Sequence, residues 1–359
     1  MPRDFRYLYV ANLISNLGSW LLVVALPYHV FRASGSITAT GLTLAAESLP
    51  ALAVGPFAGR LVDRLDRRLV MIVSNIVCAG AVVGLLAGLP WLYLAVIAEN
   101  VGLVFFRPAA RAMLPAIAGT GPTLVRANSR IAFNNGLVRL LGPPLGAVLG
   151  MPLVVWSDVG SYAVSASLIT LVASNPLTGA GDAGFGLRYT WQKLRRLLLV
   201  NTVFFTANGV YTALLVPFMT RRFGQHPADI GVFFSALGVG YLIGAPIAGR
   251  LVKRHPASPL LRVSQLGIGA CFLLLAHAST VVVAIAAGGM IGLPGSLLLV
   301  TIETTIQRSS ADELRGRVGA TFFASDALAL LLGSIIAALA GPWILTVAAG
   351  VILVSGLVL

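Results

Sequence analysis

Polar residues are sparse along this chain, and charged ones come in short clusters between long apolar runs. A helix rising 1.5 Å per residue needs about 20 apolar residues to cross the hydrocarbon core of a bilayer. Windows of that size predict helices near residues 8–31, 38–58, 69–88, 91–110, 129–150 and 153–173. A second set follows near 198–219, 229–251, 261–278, 280–302, 318–340 and 342–359. The last window holds 18 residues, about 27 Å of helix, just enough to span. The first apolar run continues for about 20 residues with no A-x-A site, so no cleavable signal is expected.

Between the two sets lies SNPLTGAGDAGFGLRYTWQKLRR, glycine-rich at first and basic at its end. It reads as a cytoplasmic linker over 175–197. It would join an N-terminal six-helix bundle, 1–174, to a C-terminal one, 198–359.

Basic residues orient such a chain, because cytoplasmic loops collect Lys and Arg. With the N-terminus in the cytoplasm, 21 of the 25 Lys and Arg residues fall on the cytoplasmic side. Only Arg32, Arg221 and Arg222 fall outside, and Arg139 alone lies within a span. The expected protein is multi-pass in the inner or plasma membrane, with both termini cytoplasmic.

Composition agrees with a lipid-embedded fold. The chain is 57% hydrophobic and 10% charged, against about 45–50% and about 25% in soluble domains. The net charge of +13 does not indicate nucleic acid, because it is spread over short clusters rather than a basic domain. Cys78 and Cys271 each sit in an apolar run, so neither a disulfide framework nor a metal site is expected. There is no H-E-x-x-H, no glycine-rich phosphate loop and no plausible Ser–His dyad, which argues against an enzyme or an ATP-driven pump. No cofactor is expected. The expected partners are a small-molecule substrate, protons and lipid, with the chain acting as a monomer.

A repeat sharpens this reading. PFAGRLVDR at 56–64 and PIAGRLVKR at 246–254 share seven of nine residues at an offset of 190. Each follows the second predicted helix of its half. Internal repeats of this kind are characteristic of secondary transporters.

The longer segment GRLVDRLDRR resembles the loop between helices two and three of the major facilitator superfamily, of form G-x-L-x-D-R-x-G-R-[KR]. Gly59, Leu61, Asp63, Arg64, Arg67 and Arg68 match; Asp66 stands where the second glycine usually falls. SNLGSW (15–20), RPAARAMLPAI (107–117), RANS (126–129), GPPLGAVLG (142–150) and ELRGRVGATF (313–322) are similar to the branch of bacterial enterobactin exporters and macrolide-efflux proteins. The resemblance implies an all-α integral membrane fold of twelve helices in two pseudo-symmetric bundles. It also implies proton-coupled efflux of small amphipathic molecules, drug-, macrolide- or siderophore-like, by alternating access. Export of a lipid or metabolite, or a sensor that no longer transports, stays open beside it.

In the exporter motif of helix five, Gly142, Pro143 and Gly146 match, while Ser129, Val138 and Ala147 replace glycines. The helix-four arginine of many drug–proton antiporters is absent: Ala98 takes its place, followed by Glu99. In the second repeat Lys253 replaces the aspartate. The resemblance assigns Gly59, Asp63, Arg64, Arg67 and Arg68 to a conformational latch, with Asp63 attracted to the partial positive charge at the start of helix eleven.

Acids within spans are costly and mark proton or substrate pathways. Glu47, Glu99 and Asp326 lie deep in their windows and are the candidate proton carriers. Asp158 lies about six residues into its helix, a depth from which it could reach the outer headgroups, and Glu303 lies near the cytoplasmic end. Arg139 sits at a depth similar to that of Glu99. A buried arginine without a partner is strongly unfavourable, so a Glu99–Arg139 pair is expected.

In helix one, Asn12, Ser15, Asn16 and Ser19 recur at i, i+3, i+4 and i+7, a single face, with Trp20 beside it. In helix seven, Asn201, Phe205, Asn208 and Thr212 recur similarly, with Tyr211 alongside. Such faces can be interhelical hydrogen-bonding glue. The resemblance favours substrate-cavity lining by Asn12, Asn16, Trp20, Asn201, Phe205, Asn208 and Tyr211.

Overall fold

The computed structural model describes residues 2–118, 122–173, 187–224, 227–309 and 312–358, and contains no strand among them. In chain order the helices are α1 (Arg3–Ser34), α2 (Ile37–Ala53), α3 (Gly55–Arg64), α4 (Arg67–Val83), α5 (Leu89–Ala118), α6 (Pro122–Val148) and α7 (Met151–Thr170). They continue as α8 (Leu187–Phe223), α9 (Pro227–Arg254), α10 (Ala257–Ala276), α11 (Val281–Ser309), α12 (Asp312–Ala340) and α13 (Ile344–Val358). Every apolar window carries one helix except 38–58, which α2 and α3 share. Among the described residues, nine helices are long and apolar enough to cross a membrane.

The break at Val54 has a local cause. Two prolines six residues apart, Pro50 and Pro56, have no N–H to offer the preceding turn, and Gly55 is a weak helix former. The repeat mate in α9 holds one proline, Pro246, and stays continuous. Asp66, the departure from the superfamily loop, also has a local role. Its carboxylate accepts the Arg68 backbone N–H at 2.8 Å and caps α4. Gly59, Asp63 and Arg64 fall on α3, but their side chains lie outside the described residues. Arg68 is turned within its own half, donating to the Thr170 carbonyl at the end of α7.

Part of the expected linker is helical. Residues 174–186 lie outside the description, but from Leu187 onward the chain is helical, with a kink at Leu194. Thr190, Leu194, Leu197 and Leu198 are buried while Lys193, Arg195 and Arg196 are exposed. That i, i+4, i+7, i+8 stripe gives the basic stretch an apolar face to bury.

The chain divides into two compact units, Met1–Leu26 with Ala46–Ala183, and Pro27–Ala45 with Gly184–Leu359. The C-terminal part of α1 and the first turns of α2 therefore group with the second unit. The repeat is visible in the core of each. Val62 packs with Val70, Met71, Phe106 and Ala109 in the first unit. Val252, 190 residues later, packs with Leu260 and Leu297 in the second.

The packing is that of a lipid-soluble protein. On α4 the buried face carries Ser74 and Asn75, while Leu69, Val73 and Ile76 face out. Water would penalise this arrangement, whereas a bilayer favours it, since polar groups must find partners inside the protein. Trp91, Trp156, Trp191 and Trp343 are exposed near helix ends, as in an interfacial aromatic belt.

Candidate functional site

The first unit holds a buried polar network built by four helices. Glu99 of α5 is 5% exposed and accepts a hydrogen bond from the Tyr162 phenol of α7, at 2.9 Å. The same phenol meets the Ser19 hydroxyl of α1 at 3.0 Å, and Ser19 also reaches the Ser15 carbonyl at 3.2 Å. From α4, the Cys78 thiol donates to the Glu99 carbonyl at 3.3 Å, and the Asn75 amide donates to Ser165 at 3.2 Å. The result is a line of polar contacts from an acid on α5 to the backbone of α1.

Asp158 is turned inward, beside this network and against α1. It is fully buried, and Ser161 donates to its Oδ1 at 3.1 Å. Its Oδ2 has no hydrogen-bond partner among the described residues. Its helix reaches α1 at Gly18, where any side chain would collide with Asp158 and Ser161. Glu47 of α2 is half-buried and makes no hydrogen bond among the described residues.

The chemistry of the line is symmetric in one useful sense. With Glu99 ionised, Tyr162 donates to it and Ser19 donates to Tyr162. With Glu99 protonated, every donor can reverse, and Ser19 then gives its proton to the Ser15 carbonyl. Neither state leaves a donor of this line unpaired.

The expected Glu99–Arg139 pair is not formed. Arg139 of α6 is exposed, and its guanidinium lies 5.2 Å from the ring centroid of Trp20 on α1, a cation–π contact. The premise that failed was burial against Glu99: the guanidinium lies at the protein surface and meets Trp20 instead. Gly142 and Gly146 let α6 come this close. A Cβ on Gly142 would sit 2.5 Å from Trp20 Cβ, and one on Gly146 would strike the Leu21 carbonyl. Pro143, between them, is buried within α6.

The second unit has its own polar crossing. Asn201 of α8 donates to the Asp326 carboxylate of α12, and Thr202 and Ser325 hydroxyls meet at 2.8 Å beside it. Farther along, Gly209 faces the Leu330 carbonyl and Gly333 faces that of Thr206, with no room for a side chain on either. The remaining predicted residues divide. Asn12, Asn16, Phe205 and Asn208 are half-buried, and Asn12 donates back to the Leu8 carbonyl at 2.9 Å. Tyr211 is turned into the bundle, stacked 3.8 Å from Phe272, with its hydroxyl against the Phe272 and Leu345 carbonyls at 2.6 and 2.9 Å. It is a packing residue here, not a cavity wall. Glu303 is exposed on α11.

Sequence reasoning missed Tyr162. The signal was available: Asp158, Ser161, Tyr162 and Ser165 recur at i, i+3, i+4 and i+7, the spacing that marks the polar face of helix one.

The profile of the transmembrane secretion effector family matches residues 2–359. The multidrug efflux pump Tap of Mycolicibacterium fortuitum is 33% identical over 254 residues, covering 62% of this chain and 60% of that relative's length. Tap of Mycobacterium tuberculosis (strain ATCC 25618 / H37Rv) is 28% identical over 376 residues, covering 95% of this chain and 86% of the relative. Among solved structures, the peptide transporter POT superposes with a TM-score of 0.85 at 14% identity, covering 100% of this chain and 93% of its own. The human organic anion transporter MFSD10 superposes with 0.73 at 18% identity, covering 99% of both chains. At such identities the likeness is one of fold.

Proposed function

The chain belongs to the transmembrane secretion effector family, within the major facilitator superfamily of transporters, and on that footing we propose that it exports small amphipathic molecules in exchange for protons. The name of the Tap relatives supports the direction and the substrate class. The observation that carries the coupling is the Glu99–Tyr162–Ser19 line. A phenol, unlike a cation, does not lock its acid in the charged form, so Glu99 is free to change state in place. Because the donors can reverse along the line, that change reaches α1, which carries Asn12, Asn16 and Trp20. Asp326, held by an amide rather than a cation, is a second candidate acid, on α12 of the second half.

Trp20 and Arg139 offer an aromatic face and a cation to a ligand that is apolar with a polar or anionic end. The 21-to-3 division of basic residues supports both termini in the cytoplasm. The repeat supports two six-helix halves working by alternating access.

Reconstitution tests this. Proteoliposomes under an imposed pH gradient, given a mixed pool of cationic, neutral and anionic compounds, should accumulate at least one class only when the gradient is present. Equal distribution under every gradient rejects proton-coupled export.

A further inference from the structure

The positive-inside pattern leaves Arg32, Arg221 and Arg222 on the other side of the membrane, and two of them share one cavity. Arg32 is in the last turn of α1 and Arg221 in the last turn of α8. With Phe31, Gly35 and Thr220 they line a space of about 270 Å³. All five residues belong to the second compact unit.

A cation at a helix C-terminus is ordinary, because it meets the partial negative charge of the dipole. That accounts for part of Arg221, which donates to the Gly35 carbonyl at 3.1 Å and so caps α1. It does not account for the rest. Arg32 donates to Tyr28, four residues back, at 3.2 Å. Among the described residues no carboxylate is placed against either guanidinium. Two like charges facing one space repel each other unless an anion is shared. The Thr220 side chain is 6% exposed, lines the cavity, and its hydroxyl has no hydrogen-bond partner among the described residues. A buried hydroxyl without a partner is a cost that a ligand acceptor would remove.

We propose that this cavity binds an oxyanion of the phosphate type, held between Arg32 and Arg221 with the Thr220 hydroxyl as a third donor. Guanidinium groups present planar forks suited to phosphate oxygens. Arg221 spends one of its five N–H donors on Gly35, and Phe31, 5.4 Å away, holds the fork in orientation by stacking. The space is smaller than the 300–1,000 Å³ typical of drug-sized sites and suits a headgroup or a free ion. Two sources share this chemistry: the phosphate of an anionic phospholipid and inorganic phosphate.

The test uses the purified full chain in neutral detergent and reads its melting temperature. One arm titrates phosphatidylglycerol against phosphatidylcholine in mixed micelles; the other titrates inorganic phosphate against chloride at equal ionic strength. The expected result is a concentration-dependent rise in one or both arms. A rise with phosphatidylglycerol alone assigns a headgroup, and a rise with phosphate in either case assigns an oxyanion that need not be lipid-borne. Arg32→Gln leaves the Arg221–Gly35 bond in place, so it serves even if Arg221→Gln unfolds the cap. It should weaken the apparent affinity at least tenfold, the size of a lost charge-assisted hydrogen bond. Arg222→Gln, whose guanidinium faces the Ala278 carbonyl instead, should leave the affinity unchanged. No rise in either arm, or a rise that Arg32→Gln preserves, overturns the proposal. Neither outcome bears on whether the chain exports.

Discussion

Tyr162 donates to Glu99 at 2.9 Å, and both side chains are almost wholly withdrawn from solvent. The phenol is the one side-chain hydrogen-bond donor placed on this acid among the described residues. Tyr162→Phe should therefore cost about 1–3 kcal/mol of stability, the penalty for leaving a buried acceptor unsatisfied. A melting curve in detergent reads it. An unchanged melting temperature would mean that Glu99 does not depend on the phenol.

Glu99→Gln keeps a hydrogen-bond acceptor for Tyr162 while removing the titrating proton. It should abolish accumulation against a gradient and leave substrate exchange at equal concentrations largely intact. Glu47→Gln is the parallel test for the acid of α2. If both single variants still concentrate substrate, the proton travels elsewhere, and Asp326 is the next carrier to test.

Arg139 and Glu99 have separate partners, so their substitutions should act independently. Arg139→Met should lower stability by less than about 1 kcal/mol, since it removes an exposed cation–π contact. In the double variant with Glu99→Gln the two effects should add to within about 0.5 kcal/mol. A strong recovery of stability in the double variant would reveal a pair after all.

The α8–α12 crossing leaves no space for a Cβ. A Cβ on Gly209 would lie 2.6 Å from the Leu330 carbonyl oxygen. Gly209→Val should destabilise by about 1–3 kcal/mol through overpacking, whereas Gly160→Val, where nothing lies within 4 Å, should cost far less. Equal melting temperatures for the two variants would contradict the packing described.

Asp66→Ala should cost about 0.5–2 kcal/mol by uncapping α4, and Asp66→Asn should restore most of it. Hydrogen exchange confined to the first turn of α4 is the local readout, and unaltered exchange there would exclude the capping role.

Much of this fold was legible in the sequence because lipid imposes a coarse code. Apolar length and the placement of arginines located the long apolar helices, and the repeat at 56–64 and 246–254 appears as matching core positions, Val62 and Val252. The polar faces of helices one and seven were legible for the same reason. Partners were less legible. Depth alone suggested that Glu99 would meet Arg139, but depth says nothing of azimuth, and Glu99 turns to α7 while Arg139 turns to Trp20. Asp158 was misjudged in the same way, since Gly18 opens α1 to it. Tyr211 read as a cavity residue because an aromatic beside a polar face carries no sign of which neighbour it stacks on. The helix within the expected linker was not legible because an apolar-window criterion passes over a basic helix with one narrow buried stripe.

Asp326 and Gly333 are seven residues apart on α12, close to two helical turns, so both point toward α8. Their separation acts as a ruler. Inserting or deleting one residue between them would rotate one contact by about 100° relative to the other. Asn201 could then reach its acid only by driving a side chain into the Thr206 carbonyl. Point substitutions along the exposed side of this stretch are absorbed by lipid, whereas a change of length is not. For this helix, residue count constrains the chain more tightly than residue identity, and an indel scan of 327–332 would find almost nothing tolerated where a substitution scan of the lipid-facing positions finds much.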